Sequence, residues 1–259
     1  MRVIDAISQI LLKEGIEYLS AFPTTSVIEA AAAAGIKPII CRQERVGVGI
    51  ADGYARIKSG TPPGVFAMQY GPGAENAYPG VATAYADASP VLFLPLGHPL
   101  NKDRIFPHFS SVESFSSITK YVEQINQPEA VADTMRRAFY NLKNGRPGPV
   151  MVEIPSDIAI DEVDNNIVSQ YTPARKLISK ANDEDIVRAA KLLLHSETPL
   201  IYAGQGLSYS NATEELTELA EITRIPVTTT MAGKGVIDER HPLALGSSSV
   251  VMNGAVRHY

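Results

Sequence analysis

The pattern that most narrows what this chain can become is the alternation of short apolar runs with longer amphipathic stretches. Gly64–Met68, Pro90–Leu96 and Pro149–Ile154 are short runs almost free of polar side chains. Strands that are apolar on both faces belong to parallel sheets with helices packed above and below. The stretches between the runs repeat at helical spacing, as in Val3, Ile4, Ile7, Ile10 and Leu11. Parallel neighbours need a helix-length crossover, so the pattern reads as an α/β fold rather than an all-β or all-α one.

The succession predicts an amino-terminal helix, a strand over Glu17–Phe22, a helix over Ser26–Ala34, a strand over Lys37–Cys41, and a helix from about Arg45 to Lys58. The strand Gly64–Met68, a Gly-Pro-Gly turn, a helix over about Glu75–Ala86 and the strand Pro90–Leu96 follow. Gly97–Phe115 is irregular and rich in Pro, His and Phe; a helix over Pro128–Lys143 and the strand Pro149–Ile154 then close a first unit. Asp161–Lys180 is polar and unpatterned, as a linker is. A second unit holds a helix over Asp183–His195, a strand over Leu200–Ala203, a helix over Ala212–Thr223 and a strand over Pro226–Thr230. The expected organisation is a parallel sheet flanked by helices over 1–160, a linker over 161–180, and a partial Rossmann-like α/β unit over 181–259. Two strands and two helices are too few for an independent core, so the second unit reads as incomplete.

Composition removes some functions. A net charge of −5 without any Lys/Arg run offers no basic face to displace counterions, which argues against nucleic acid. No segment approaches the length of a membrane span. Asp5 and Glu14 within the first helical pattern are foreign to a signal or transit peptide. The single cysteine, Cys41, rules out an internal disulfide and ends a strand, where a buried structural thiol is expected. A cytoplasmic setting follows.

Three strand-to-helix connections are candidates for chemistry, because ligands bind an open parallel sheet at the carboxyl ends of its strands. Glu44 follows the strand Lys37–Cys41 and opens a helix that contains Gly47, Gly49 and Gly53. Glycine costs about 1 kcal/mol in a helix interior, so three suggest close packing by another helix or a flat ligand. The plain alternative is a glutamate that complements the helix dipole. The turn Gln69-Tyr70-Gly71-Pro72-Gly73, with Asn76 behind it, lets backbone approach a ring because no Cβ intervenes. It is neither a P-loop nor a dinucleotide fingerprint, and by itself is an ordinary tight turn. The loop Phe22-Pro23-Thr24-Thr25-Ser26 carries hydroxyls that can cap the next helix.

The segments RQERVGVGIADGYAR, QYGPGAENAYPGVATAYADASPV and GRPGPVMVEIPSDI resemble, in order and spacing, the pyrimidine-binding domain of the acetolactate synthase-like thiamine-diphosphate enzymes. PLIYAGQGL and IPVTTTMAGKGVIDERHPLALG are similar to the opening of that family's central domain. The resemblance implies that Glu44 bonds N1′ of the cofactor's aminopyrimidine and is the catalytic carboxylate. The activated cofactor attacks a 2-oxo acid and carbon dioxide leaves. Pro23, Thr24, Gly71, Pro72, Gly73 and Asn76 would shape the cofactor pocket. Gln69 and Tyr70 replace a Thr-Ser pair common in acetolactate synthases, and Phe106-Pro107-His108 stands where those enzymes carry Phe-Gln-Glu. His108, with His98 upstream, is then a candidate for proton transfer at the substrate; the alternative is an ordinary loop histidine.

The same resemblance implies a diphosphate-binding domain with Gly-Asp-Gly and a later Asn-Asn to hold Mg²⁺. Gly-Asp-Gly does not occur here, and Asn165-Asn166 sits in the linker without that partner. The chain is therefore expected to bind no metal itself. It would work as a pyrimidine-domain subunit in an oligomer with a second subunit that carries the diphosphate domain. The alternatives are a truncated or non-catalytic module of the family, and an unrelated Rossmann-like nucleotide binder. Some relatives hold FAD in the central domain, but Gly204-Gln205-Gly206 is a poor fingerprint for it.

Overall fold

The computed structural model describes residues 1–23, 25–103, 105–249, 254 and 256–258. The chain divides into two compact units, Met1–Leu177 and Ile178–Tyr259.

The first unit runs α1 (Val3–Lys13), β1 (Tyr18–Ala21), α2 (Val27–Ala34), β2 (Lys37–Ile40), α3 (Glu44–Ile57), β3 (Gly64–Met68), α4 (Pro72–Ala86) and β4 (Val91–Gly97). It continues through α5 (Ser111–Phe115), β5 (Tyr121–Gln124), α6 (Val131–Lys143), β6 (Val150–Pro155), α7 (Ser156–Ile160) and α8 (Asn166–Ser169). Six strands form one sheet in the order β2-β1-β3-β4-β6-β5, and every pairing is parallel. The α/β fold with helices on both faces is the one the apolar runs predict.

Strand periodicity sorts the core into two layers. Val65 and Ala67 of β3 with Leu92 and Leu94 of β4 face α1, α2 and α6. Phe66 and Met68 with Val91 and Phe93 face α3 and α4. Runs of apolar residues thus bury alternate side chains in different layers, and each layer needs its own helices.

Absent from the sequence expectation are the short helices α5, α7 and α8, the helix Gly206–Ser210 of the second unit, and the edge strand β5. Its residues Tyr121–Gln124 are half-buried, and polar Glu123 and Gln124 break the apolar signature of the inner strands. Residues 161–177 do not extend as a free connector. Val163, Val168 and Tyr171 are buried in the layer under α1. Polar composition conceals this packing, since only every few residues turn inward.

The second unit holds α9 (Asp183–Leu194), β7 (Ile201–Ala203), α10 (Gly206–Ser210), α11 (Thr213–Thr223), β8 (Val227–Thr229) and β9 (Ala244–Ser247). Its parallel sheet has the order β7-β8-β9, one strand more than the sequence reading found. Ala244–Ser247 lacks β-branched residues, and its pairing slips between Val227 and Thr229. Among the described residues no helix is long and apolar enough to cross a membrane.

Candidate active site

The chain leaves β1 for β2 on one side and later enters β3 on the other side of β1. α2 joins one core layer and α4 the other, so the connections after β1 and β3 diverge. Such a switch point opens a crevice at the carboxyl edge, which is where ligands bind in sheets of this kind.

Glu44 stands at this edge as the first residue of α3. Its placement follows from Gly47, one turn on. A Cβ there would stand 2.2 Å from Phe66 Cε2 and 2.8 Å from Cys41 Sγ, so only glycine lets the helix settle on β3. Ser20 Oγ on β1 donates to the Gly47 carbonyl at 2.8 Å and fixes the same turn. With the helix seated so deeply, Glu44 is only 4% exposed although it belongs to a helix terminus.

The turn after β3 meets it. Gly71 has φ 55° and ψ −116°, a conformation that glycine tolerates, and Pro72 starts α4 in the position where its missing N–H is harmless. The tight turn brings Gly73 close: a Cβ there would lie 2.6 Å from Gln69 Cγ and 3.3 Å from Glu44 Oε1. Asn76 Nδ2 donates to Glu44 Oε2 at 3.3 Å. Among the described residues this is the only hydrogen bond to the Glu44 carboxyl, which retains unused acceptor capacity. Cys41 is a buried structural thiol that bonds the Ala21 carbonyl at 3.3 Å, and burial followed by the nearby Glu44 charge pushes its pKa up.

The other candidates divide. Pro23 is exposed at the carboxyl end of β1, and Thr24 lies outside the described residues. Thr25 accepts from Val27 N at 3.1 Å, the capping role open to that loop. Gln69 reaches the Gly73 turn. Tyr70 packs on His98 with ring centroids 4.5 Å apart, and His98 packs on His108 at 4.2 Å. Burial first, then His108 and Lys102, hold the His98 pKa below its ordinary value.

Glu153 of β6 was not singled out by the sequence, although an acid inside an apolar strand was the available signal. It is 5% exposed, takes a bond from Gln124 Nε2 at 2.6 Å, and packs under Gly97, where a Cβ would meet its Cγ at 2.9 Å. Burial pushes its pKa up. It therefore underlies the start of the loop that carries both histidines.

A buried, incompletely bonded carboxylate beside a glycine-containing turn, at the switch point of an open parallel sheet, makes this edge of unit 1 the candidate ligand site of an open α/β domain. Comparison gives that class a family. Residues 1–130 match the thiamine pyrophosphate enzyme N-terminal TPP binding domain, and residues 186–259 match the thiamine pyrophosphate enzyme central domain. The chain belongs to the thiamine pyrophosphate enzyme family, in its acetolactate synthase-like branch.

It is 38% identical over 258 residues to a probable acetolactate synthase large subunit of Methanocaldococcus jannaschii, a match that covers 95% of this chain and 43% of that protein. It is 35% identical to the corresponding protein of Methanococcus aeolicus (93% and 42% covered). It is 33% identical to an acetolactate synthase of Arthrospira platensis (91% and 42% covered). The chain thus spans about two fifths of the length of these relatives.

The residues present fit the aminopyrimidine side of thiamine diphosphate: among the described residues Oε1 of Glu44 has no hydrogen-bond partner, and Gly73 adjoins it. Among the described residues no group of three or more His, Cys, Asp or Glu side chains is placed to hold a metal. Asn165 accepts from the Met1 amino group at 2.9 Å and Asn166 bonds to Asp164, both local structural roles.

Proposed function

We propose that this chain supplies the aminopyrimidine side of a thiamine-diphosphate enzyme acting on 2-oxo acids, by decarboxylation or carboligation. A second subunit in the oligomer would supply the diphosphate-binding domain with its Mg²⁺. The observation that carries this reading is the Glu44 carboxyl, buried at the switch point, bonded by Asn76 alone among the described residues, and walled by Gly73. The lone buried thiol supports a reducing, cytoplasmic setting.

Bound cofactor supplies a carbon nucleophile and an electron sink that no side chain offers. Glu44 holds and returns a proton at pyrimidine N1′. Asn76 orients that carboxyl through Oε2. Gly71, Pro72 and Gly73 form a compact wall, two of its three residues without a side chain, against which a flat ring can lie; Pro23 ends β1 at the same edge, and the family resemblance assigns Thr24, outside the described residues, to the same pocket. Gln69, Tyr70 and His108 face the substrate side. Formation of acetolactate, the product that the relatives' names state, is one outcome compatible with these groups.

The test pairs this chain with a polypeptide that bears Gly-Asp-Gly and a later Asn-Asn. The assembled complex should bind thiamine diphosphate with Mg²⁺ and release CO₂ from a 2-oxo acid, whereas this chain alone should bind the cofactor weakly or not at all in calorimetry. Tight binding by the chain alone would refute the need for a partner. Full turnover in an assembled Glu44→Gln complex would remove Glu44 from the mechanism.

A further inference from the structure

Tyr70, His98 and His108 form a row of stacked rings, with centroid separations of 4.5 Å and 4.2 Å. The row begins at the residue before Gly71, in the same turn as Gly73, where a Cβ would lie 3.3 Å from Glu44 Oε1. From there it passes along the carboxyl edge to the loop after β4. Tyr70 is 44% exposed, His98 is half-buried and His108 is exposed, so a solute can reach all three.

The loop is anchored. Leu100 N donates to both carboxyl oxygens of Asp157, at 3.2 and 3.0 Å. His108 N donates to the Ile105 carbonyl at 2.8 Å, and Ser110 caps α5 through Glu113 N. At its start Gly97 is packed against Glu153. Held side chains recognise a ligand with less ordering loss than mobile ones do.

The electrostatics of the row point to an anion. The groups that act on His98 are His108 and Lys102, which oppose its charge, and Asp103, which favours it. Two imidazoles stacked this closely resist carrying charge together. An arriving anion reverses that balance, because it repays the desolvation and the mutual repulsion at once. A methyl or ethyl tail would leave this polar row without a counterpart.

We propose that Tyr70, His98 and His108, backed by Lys102, bind a second acidic group of the substrate, so that the 2-oxo acid handled at this edge is a dicarboxylate. This rests on the reading of the edge as a 2-oxo acid site, and it deepens that reading by naming the substrate class.

The test uses the full chain without partner or cofactor. The ¹³Cε1–¹H resonances of its five histidines are titrated with pH in the presence of oxaloacetate or 2-oxoglutarate, and in parallel with pyruvate or 2-oxobutanoate. The dicarboxylates should raise the apparent pKa of His98 and His108, leave His195 and His241 unmoved, and bind more tightly on acidification through the imidazole range, by up to about ten-fold per pH unit for each proton taken up. The monocarboxylates at equal concentration should do neither. His98→Gln and His108→Gln should each abolish the difference, and Lys102→Gln should weaken it, with far-UV circular dichroism unchanged.

Equal responses to both classes of acid, or none to the dicarboxylates, would overturn the proposal. The response should persist in Glu44→Gln, because the row does not include that residue. A missing dicarboxylate response beside a Glu44-dependent enzyme therefore defeats only this inference. A preserved response beside an inactive complex leaves the fault with the cofactor reading.

Discussion

Two glutamates of the first unit are equally hidden from water and differ in what surrounds them. Glu14, at the end of α1, has a side chain with no exposed surface; Lys143 pairs with it, Tyr171 Oη donates at 2.6 Å and Ala174 N at 2.9 Å. Burial and that carboxylate together push the Tyr171 pKa well above its ordinary value. Glu44 has one amide partner among the described residues, at 3.3 Å. A buried carboxylate that the chain saturates is a staple, here clamping residues 171–174 onto α1 and α6. One that the chain leaves unsaturated costs stability unless something else completes it. That contrast, more than burial itself, singles out Glu44.

The contrast is broken most directly by exchanging each carboxyl. In the assembled enzyme Glu44→Gln should lower turnover by about 10²–10⁴-fold, the usual span for a proton-transfer group, while the urea midpoint of the chain holds or rises, since an unsaturated buried charge is removed. Glu14→Ala should behave oppositely. Stranding Lys143 and the Tyr171 hydroxyl should destabilise the chain by about 3–5 kcal/mol in urea unfolding, while turnover per folded molecule holds. If both variants fail in the same assay, the distinction between staple and site is wrong.

How much of this was legible in the sequence follows the same line. Glu44, the Gly71–Gly73 turn and their location at the sheet edge could be read because glycine placement and strand-to-helix order are local signals. Asn76 came with the family resemblance. Glu153 was passed over because its meaning lies in cross-strand neighbours, Gln124 on β5 and Gly97 on β4, and β5 itself was missed. The Tyr70–His98–His108 row joins residues that are far apart in sequence, and no spacing rule could have stacked them. Residues 161–177 looked like a connector because their inward-facing residues are sparse, and their anchor, Glu14, lies at the other end of the unit.

Glycines extend the comparison from charge to space. Gly47 is packed from outside, and an alanine there would collide with Phe66; Gly49 and Gly53 have nothing within 4 Å of a built Cβ. Gly47→Ala should destabilise the isolated chain by about 1–3 kcal/mol through overpacking. Gly49→Ala and Gly53→Ala should each stabilise it by about 0.5–1 kcal/mol, since an exposed helix interior favours alanine. Thermal unfolding of dilute chain measures both. Destabilisation by the outer pair that grows with protein concentration would mean that a second molecule covers this face of α3.

The smallest expected effect is a slope, and it belongs to the carboxyl between the two extremes. Glu153 is bonded by Gln124 and Ser111, and burial, followed by the Asp103 charge, raises its pKa in the folded chain. As pH rises past the ordinary glutamate value of 4.5, the unfolded chain releases this proton before the folded chain does. The folded state then holds more protons, and stability falls with rising pH until the folded carboxyl also ionises. Glu153→Gln keeps an acceptor for Gln124 and removes the titration. The variant should therefore gain stability relative to the parent as the pH is taken from 4 towards neutrality, and match it at the acid end. Paired unfolding midpoints across that range measure the gap. A gap that is flat with pH would show that Glu153 is already relieved of its charge problem, as Glu14 is, and would place it with the staples.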